Sequence, residues 1–400
     1  PGTSVQRLMT RLANDWLSLG TGEKSLTADA SVQDLQNSRE RLLVTATQLE
    51  HAESGVGAKF LRTSPLKAIG QRFQYDAPIA LVMGAKGAGK TFAFLQLARR
   101  QVWTAFLAEL GFTSSNHWGQ FWPLLWPLNL EEKANVLLSK CREETLAKVC
   151  GKGTGLSRND ILDTIREKLK DKEADESDWR RLWFRLIALS LGLELADNTG
   201  DPLIEVQRAL ETVQSRVVVI LDGLEDTFKE ANKDRSQQIA LRALCQDVPN
   251  TLREIPDVRL GLIVFVRKDL LRAAVPQNFG QLETLYAPFE LKWNPEEALR
   301  LAVWLSLESG LNEYMEVRGE LEALPQEALA RSLFPVWGEK LGTAASREAI
   351  TANWVIAALS DFRGQLQARD VVRLMRYAAD RARSVPDYDK RILQPAAIRS

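Results

Sequence analysis

The residues Gly84-Ala85-Lys86-Gly87-Ala88-Gly89-Lys90-Thr91 satisfy the spacing G-x-x-x-x-G-K-[ST] at every fixed position. That spacing suits a loop wrapped around a polyphosphate. Its glycines let backbone N–H groups turn inward to cradle β- and γ-phosphates. Lys90 reaches the same phosphates, and Thr91 places its hydroxyl on a Mg²⁺ ion. Gly84, Ala85, Lys86, Gly87, Ala88, Gly89, Lys90 and Thr91 are therefore the expected phosphate contacts. A second candidate lies about 130 residues downstream, where Val217-Val218-Val219-Ile220-Leu221-Asp222 reads as a buried strand ending in a carboxylate. Chemistry on a Mg²⁺-bound triphosphate needs an acid there to hold the metal's shell beside Thr91. Thr91 and Asp222 are thus the expected metal residues. The next residues, Gly223-Leu224-Glu225-Asp226, add two carboxylates, one of which would polarise an attacking water. Glu225 is favoured for that task and Asp226 is the alternative.

The elements that must position these groups alternate in type. Ala80-Leu81-Val82-Met83 before the loop reads as a buried parallel strand. Thr91 to Leu110 after it reads as one helix, with Phe94, Leu97, Ala98, Val102, Ala105 and Phe106 near one face and Gly111 as its stop. Expected strands are Ile79 to Met83, Gln120 to Trp126, Val217 to Leu221, Gly261 to Val266 and Ala287 to Leu291. Apolar strands alternating with helical segments over residues 76–292 imply a doubly wound α/β domain with a parallel sheet. Asp178 to Leu193 reads as a Trp- and Leu-rich helix packed in its core. Residues 1–75 carry helical patterns at Val5 to Leu17 and Val32 to Glu50, separated by a polar loop from Gly20 to Ala30. They form an N-terminal helical extension, or a linker to an upstream domain. Residues 293–400 are helical. Asn294-Pro295-Glu296-Glu297 has the N-cap, first-turn Pro and N3 acid of a helix start. That helix would run to about Ser309, and Glu348 to Leu359 and Ala368 to Arg383 read as further helices.

Taken together, these motifs resemble the STAND branch of the AAA+-related P-loop ATPases. The resemblance rests on the phosphate loop and on the strand end Leu221-Asp222-Gly223-Leu224-Glu225-Asp226. It also draws on Val264-Phe265-Val266-Arg267-Lys268-Asp269, similar to a strand whose terminal Arg senses the γ-phosphate. Leu291-Lys292-Trp293-Asn294-Pro295-Glu296 is similar to the entry of the helical lid. Gln367-Ala368-Arg369-Asp370-Val371-Val372-Arg373-Leu374 is similar to the lid helix with a second sensor Arg. The likeness covers roughly residues 70–385. It implies an ATP-hydrolysing enzyme with ATP and Mg²⁺ as cofactors, Lys90 and Arg267 beside the γ-phosphate, and Arg369 reading it from the lid. Arg363 and Arg373 lie close enough in sequence to take the lid role instead. It further implies a switch that acts through a homo-oligomer or a partner effector, as in signalling or anti-phage defence. The adjacent Asp-Glu pair of AAA+ motors is missing, because Gly223 follows Asp222. A motor working on nucleic acid or protein is the alternative reading. Arg272 is the candidate for an arginine finger acting in trans, or a helix-surface charge.

Composition narrows the field without deciding it. The chain has 400 residues, enough for two or three domains, and is 45% hydrophobic and 26% charged, an ordinary globular balance. Lys plus Arg equals Asp plus Glu, 52 against 52, so net charge gives no argument for nucleic acid, although a local patch stays open. No apolar run approaches the ~20 residues that cross a bilayer. With no signal peptide, three scattered cysteines and only His51 and His117, neither a disulfide framework nor a zinc site is expected, and the cytoplasm fits. The chain opens Pro1-Gly2-Thr3-Ser4 without Met, as would a piece of a longer protein or a trimmed tag. Leu66, Ile69 and Phe73 would line a base pocket or pack the core.

Overall fold

Four runs of aliphatic and aromatic residues form one parallel sheet in the order β1-β4-β3-β2. They are β1 (Ile79–Gly84), β2 (Gln120–Leu125), β3 (Val217–Leu221) and β4 (Leu260–Arg267). The computed structural model describes residues 32–50, 59–113, 119–149, 155–193, 195, 200–343, 345–362, 364–384 and 390–400. Within the sheet β1, β3 and all but the last residue of β4 are buried, as expected where helices cover a parallel sheet. Such strands cannot be paired by tight turns, so each is followed by helical crossovers. The architecture is α/β, with helices forming most of the rest of the described chain. The expected helix from Val5 to Leu17, the loop from Gly20 to Ala30, His51, His117 and Cys150 lie outside the described residues. Cys141 and Cys245 are buried, and burial pushes each thiol up to about 12.

Three expectations change. Ala287 to Leu291 is not a fifth strand. Ala287–Phe289 is a 3₁₀ turn, and only Leu291 pairs, bridging in parallel to Gly84 and donating its N–H to the Met83 carbonyl at 2.7 Å. Pro288 lacks an N–H and cannot contribute to a ladder. The helix after the phosphate loop is also not continuous. Lys90–Arg100 ends at Gln101, whose φ is 61°, and Trp103–Glu109 begins afresh. The break lets Val102 bridge to Gln120 and the Gln101 carbonyl accept from the Phe121 N–H at 2.7 Å. A continuous helix would have left that end of β2 uncovered. The helix expected from Glu348 begins at Thr351, because Ile350 bridges to Lys340.

Buried apolar side chains form two clusters. The larger surrounds the sheet and includes the helix Glu176–Ser190, whose Trp179 and Trp183 are fully buried. The Trp183 indole donates to the Ala240 carbonyl at 3.1 Å. The smaller cluster joins Val32–Glu50, Pro295–Glu308 and Ala368–Ala382. Hence the helix Val32–Glu50 packs with the C-terminal helices rather than with the sheet. Glu50 fastens it there, its buried carboxylate paired with Arg373 at 2.9 Å and Arg376 at 2.5 Å. Phe60 belongs to the larger cluster and its neighbour Leu61 to the smaller, so the strap before Ser64–Arg72 joins the two.

Truncating Trp183 removes a large buried ring and its hydrogen bond to the Ala240 carbonyl. Trp183→Ala should lower unfolding stability by about 3–5 kcal/mol, read from denaturant melts. A loss under about 1 kcal/mol would contradict this packing.

Candidate active site

The carboxyl ends of β1, β4 and β3 lie side by side and bring three separated sequence segments together. In an open parallel sheet, ligands occupy this edge. Gly84 ends β1 opposite Arg267 of β4, and Leu221 of β3 pairs with Val264. The central position of β4 therefore sets Arg267 between the glycine-rich loop after β1 and the acidic turn after β3.

The loop is built by its glycines. Gly87 and Gly89 have φ of 82° and 96°, a region that costs little only to glycine. Gly89 is also the N-cap of Lys90–Arg100, so the loop feeds directly into a helix N-terminus, which favours anions. Lys90 is 6% exposed, and its ammonium donates to the carbonyls of Ala85 at 2.9 Å and Gly84 at 3.2 Å. Burial lowers its pKa, while the charges of Asp222 and Glu225 oppose that shift.

Asp222 is 1% exposed. The Thr91 side chain and the Gly223 N–H act on its carboxylate in favour of the charged form, yet Oδ2 has no hydrogen-bond partner. Burial raises its pKa to about 6, with the neighbouring Glu225 charge adding to the rise. Gly223, at φ 74°, turns the chain sharply. A Cβ there would lie 2.5 Å from the Pro127 nitrogen, so the close pass of two backbones requires glycine.

The two following carboxylates differ in their partners. Glu225 lines the cavity, and its Oε2 is buried without a hydrogen-bond partner. Asp226 also borders the cavity, but its Oδ2 accepts from the Leu128 N–H at 2.9 Å and so closes the turn. Arg267 borders the cavity with its guanidinium forked onto Asp269, at 3.0 Å and 2.5 Å, which raises its pKa. Arg369 lines the opposite wall, in the first turn of Ala368–Ala382, and its N–H reaches the Gly87 carbonyl at 3.5 Å. Arg373 is not on the cavity and pairs with Glu50 instead. Arg363 lies outside the described residues. Arg272 stacks over the Phe279 ring at 4.8 Å and does not border the cavity.

The cavity measures about 470 Å³, and its lining mixes polar and apolar groups. The polar part comprises Lys86 to Thr91 of the loop, Gly223, Glu225, Asp226 and Arg267. The apolar part comprises Leu49, Phe60, Leu61, Leu66, Leu301, Trp304 and Val372. Glu50 and Thr63 border it too, and the Thr63 hydroxyl is buried without a partner. Of the three residues considered for a base pocket, only Leu66 borders it. Ile69 and Phe73 are core. Phe60, Thr63, Trp293 and Trp304 were not anticipated as cavity residues. The strap 59–63 carries no motif, and a cavity between two packing units has no local sequence period.

The donor set suits Mg²⁺. Among the described residues no group of three or more His, Cys, Asp or Glu could cage a metal. Mg²⁺ commonly takes one or two protein oxygens and fills its shell with water and phosphate oxygens. Thr91 and the free oxygen of Asp222 supply that pattern. No protein-family model, curated protein or solved structure matches the chain.

The geometry separates the two acids experimentally. Asp226→Asn should cost about 1 kcal/mol of stability through its weakened hold on the Leu128 N–H. Glu225→Gln, whose outer oxygen holds nothing, should melt within about 0.5 kcal/mol of the parent. The reverse order in thermal melts would overturn this assignment.

Proposed function

We propose that this protein is an ATP-binding and ATP-hydrolysing switch of the STAND or AAA+-like kind, in which the helices 293–400 act as a lid. The observation that carries the reading is the convergence at one cavity of Lys90, Thr91 and Glu225, whose Oε2 has no hydrogen-bond partner, with the buried Asp222 interacting with Thr91. Thr91 and Asp222 would hold Mg²⁺, which when bound neutralises phosphate charge. Lys90 exchanges its two carbonyl partners for phosphate oxygens, replacing neutral acceptors with charged ones. Glu225 orients a water and takes its proton at Oε2. Arg267, released from Asp269, adds positive charge on the γ-phosphate side. Hydrolysis on this scheme is mainly positioning and charge stabilisation.

The apolar part of the cavity suits a purine base, and Thr63 offers it one hydroxyl. Because Arg369 approaches from the Ala368–Ala382 helix, the presence of a γ-phosphate would bias the seating of that helix on the loop. Nucleotide state would thereby be passed to a partner effector or a second copy of the chain in a cytoplasmic setting. Supporting a switch over a motor is Gly223, which takes the place of the second acid at the strand end.

Phosphate release from ATP, with and without Mg²⁺, tests the reading. Lys90→Ala should reduce turnover by at least about 100-fold, the scale of losing one preorganised charge contact. Parent-like turnover in Lys90→Ala would overturn it. Arg369→Ala should leave ADP affinity unchanged. Its affinity for a non-hydrolysable ATP analogue should fall by about 1.5–3 kcal/mol, the worth of a charge-assisted hydrogen bond. Equal analogue affinities of variant and parent in titration calorimetry would remove Arg369 from the γ-phosphate.

A further inference from the structure

Trp293 stands at the crossing from the sheet domain to the C-terminal helices. It packs against both hydrophobic clusters, and its backbone bridges Leu366, just ahead of Ala368–Ala382. Its indole Nε1–H donates to the carbonyl of Ala88 at 2.9 Å. That carbonyl is inside the phosphate loop, between Gly87 and Gly89. Both glycines adopt positive φ, so the peptide groups around Ala88 have unusual freedom to rotate.

A trans peptide group is planar, with its C=O and N–H pointing in opposite directions. Fixing the Ala88 carbonyl on the indole therefore also fixes the Gly89 N–H, which must point away from Trp293. Gly89 borders the cavity, and a Cβ placed on it would meet nothing within 4 Å. We infer that Trp293 is a positioning residue for nucleotide binding. Its indole locks the Ala88–Gly89 peptide so that the Gly89 N–H faces the phosphate cradle, and this makes the loop's binding-ready form depend on the seating of the lid.

The inference rests on the phosphate-loop reading but adds a separate claim. Arg369 would distinguish ATP from ADP, because only ATP carries the γ-phosphate. Trp293 acts through the loop backbone, which holds the phosphates common to both. Losing its N–H should therefore weaken ATP and ADP equally. Lys90→Ala removes a charge from the loop, whereas a Trp293 variant leaves every loop side chain intact.

The test is titration calorimetry of full-length parent, Trp293→Phe and Trp293→His with Mg²⁺–ADP and a non-hydrolysable Mg²⁺–ATP analogue. Phe keeps an aromatic ring and removes the donor. His is smaller, but its Nε2 is as many bonds from the backbone as the indole Nε1, so it can restore an N–H. The expected result is about tenfold weaker binding of both nucleotides by Trp293→Phe, with affinity largely regained in Trp293→His. Parent-like binding by Trp293→Phe would overturn the inference and leave the phosphate-loop reading standing. Equal weakening in both variants would overturn it as well, since the ring and not its N–H would then be responsible. If Trp293→Phe does not fold, Trp293→His decides alone: near-parent affinity upholds the inference and a tenfold loss defeats it. A parent protein that binds neither nucleotide would sink the phosphate-loop reading, and this inference with it.

Discussion

The interaction of the Thr91 side chain with the Asp222 carboxylate joins the start of the helix after β1 to the end of β3, two strands away in the sheet. Asp222 is buried, and a buried carboxylate is costly unless partners hold it. Thr91, the Gly223 N–H and the buried Lys90 ammonium favour its charged form, yet Oδ2 has no hydrogen-bond partner. A core optimised for stability alone would not keep an acid half-satisfied there. Much of the surrounding backbone follows from holding it: the positive φ of Gly223, the close pass of Pro127 and the use of Asp226 to secure Leu128.

The second constraint is that the cavity belongs to two packing units. Among the described residues two short straps border it while passing between them, one at 59–63 and one at 291–294. Phe60 and Leu61 point into different clusters, and Trp293 touches both. Glu50 sits at the cavity edge and, through Arg373 and Arg376, carries the helix Val32–Glu50 along with Ala368–Ala382. A shift of the C-terminal helices would therefore move the N-terminal helix as well. Neighbouring Ser64 and Glu297, bonded at 2.7 Å, tie the two straps to each other. Small changes at the glycine-rich loop thus have a mechanical route to the outer helices.

What could be read from sequence follows from how local each signal is. The phosphate loop and the strand before it are contiguous, so their pattern is complete within a dozen residues. The Val217 to Asp222 run is likewise local, and its buried strand needs no periodicity to be seen. Ala287 to Leu291 misled because an apolar run looks like a strand, while Pro288 removes the donor a strand needs. The break at Gln101 was hidden because both halves carry helical spacing, and the reason for the break is a tertiary pairing with Gln120 and Phe121. Glu225 and Asp226, like Arg369 and Arg373, are told apart only by partners far away in sequence. Leu128 takes Asp226 and Glu50 takes Arg373. The apolar part of the cavity had no sequence signal, since Leu49, Phe60, Leu301 and Val372 lie far apart in the chain and share no motif.

The central claim is that the open oxygen of Asp222 and the hydroxyl of Thr91 together await a phosphate-bound cation. Calorimetric titration of ATP into the parent and into Asp222→Asn, each in Mg²⁺ and again in excess chelator, tests it most directly. The account predicts that chelation weakens ATP binding to the parent by at least about tenfold, or roughly 1.4 kcal/mol, and has little further effect on Asp222→Asn. Identical ATP affinity in Mg²⁺ and chelator for the parent, or an undiminished Mg²⁺ effect in Asp222→Asn, would contradict it.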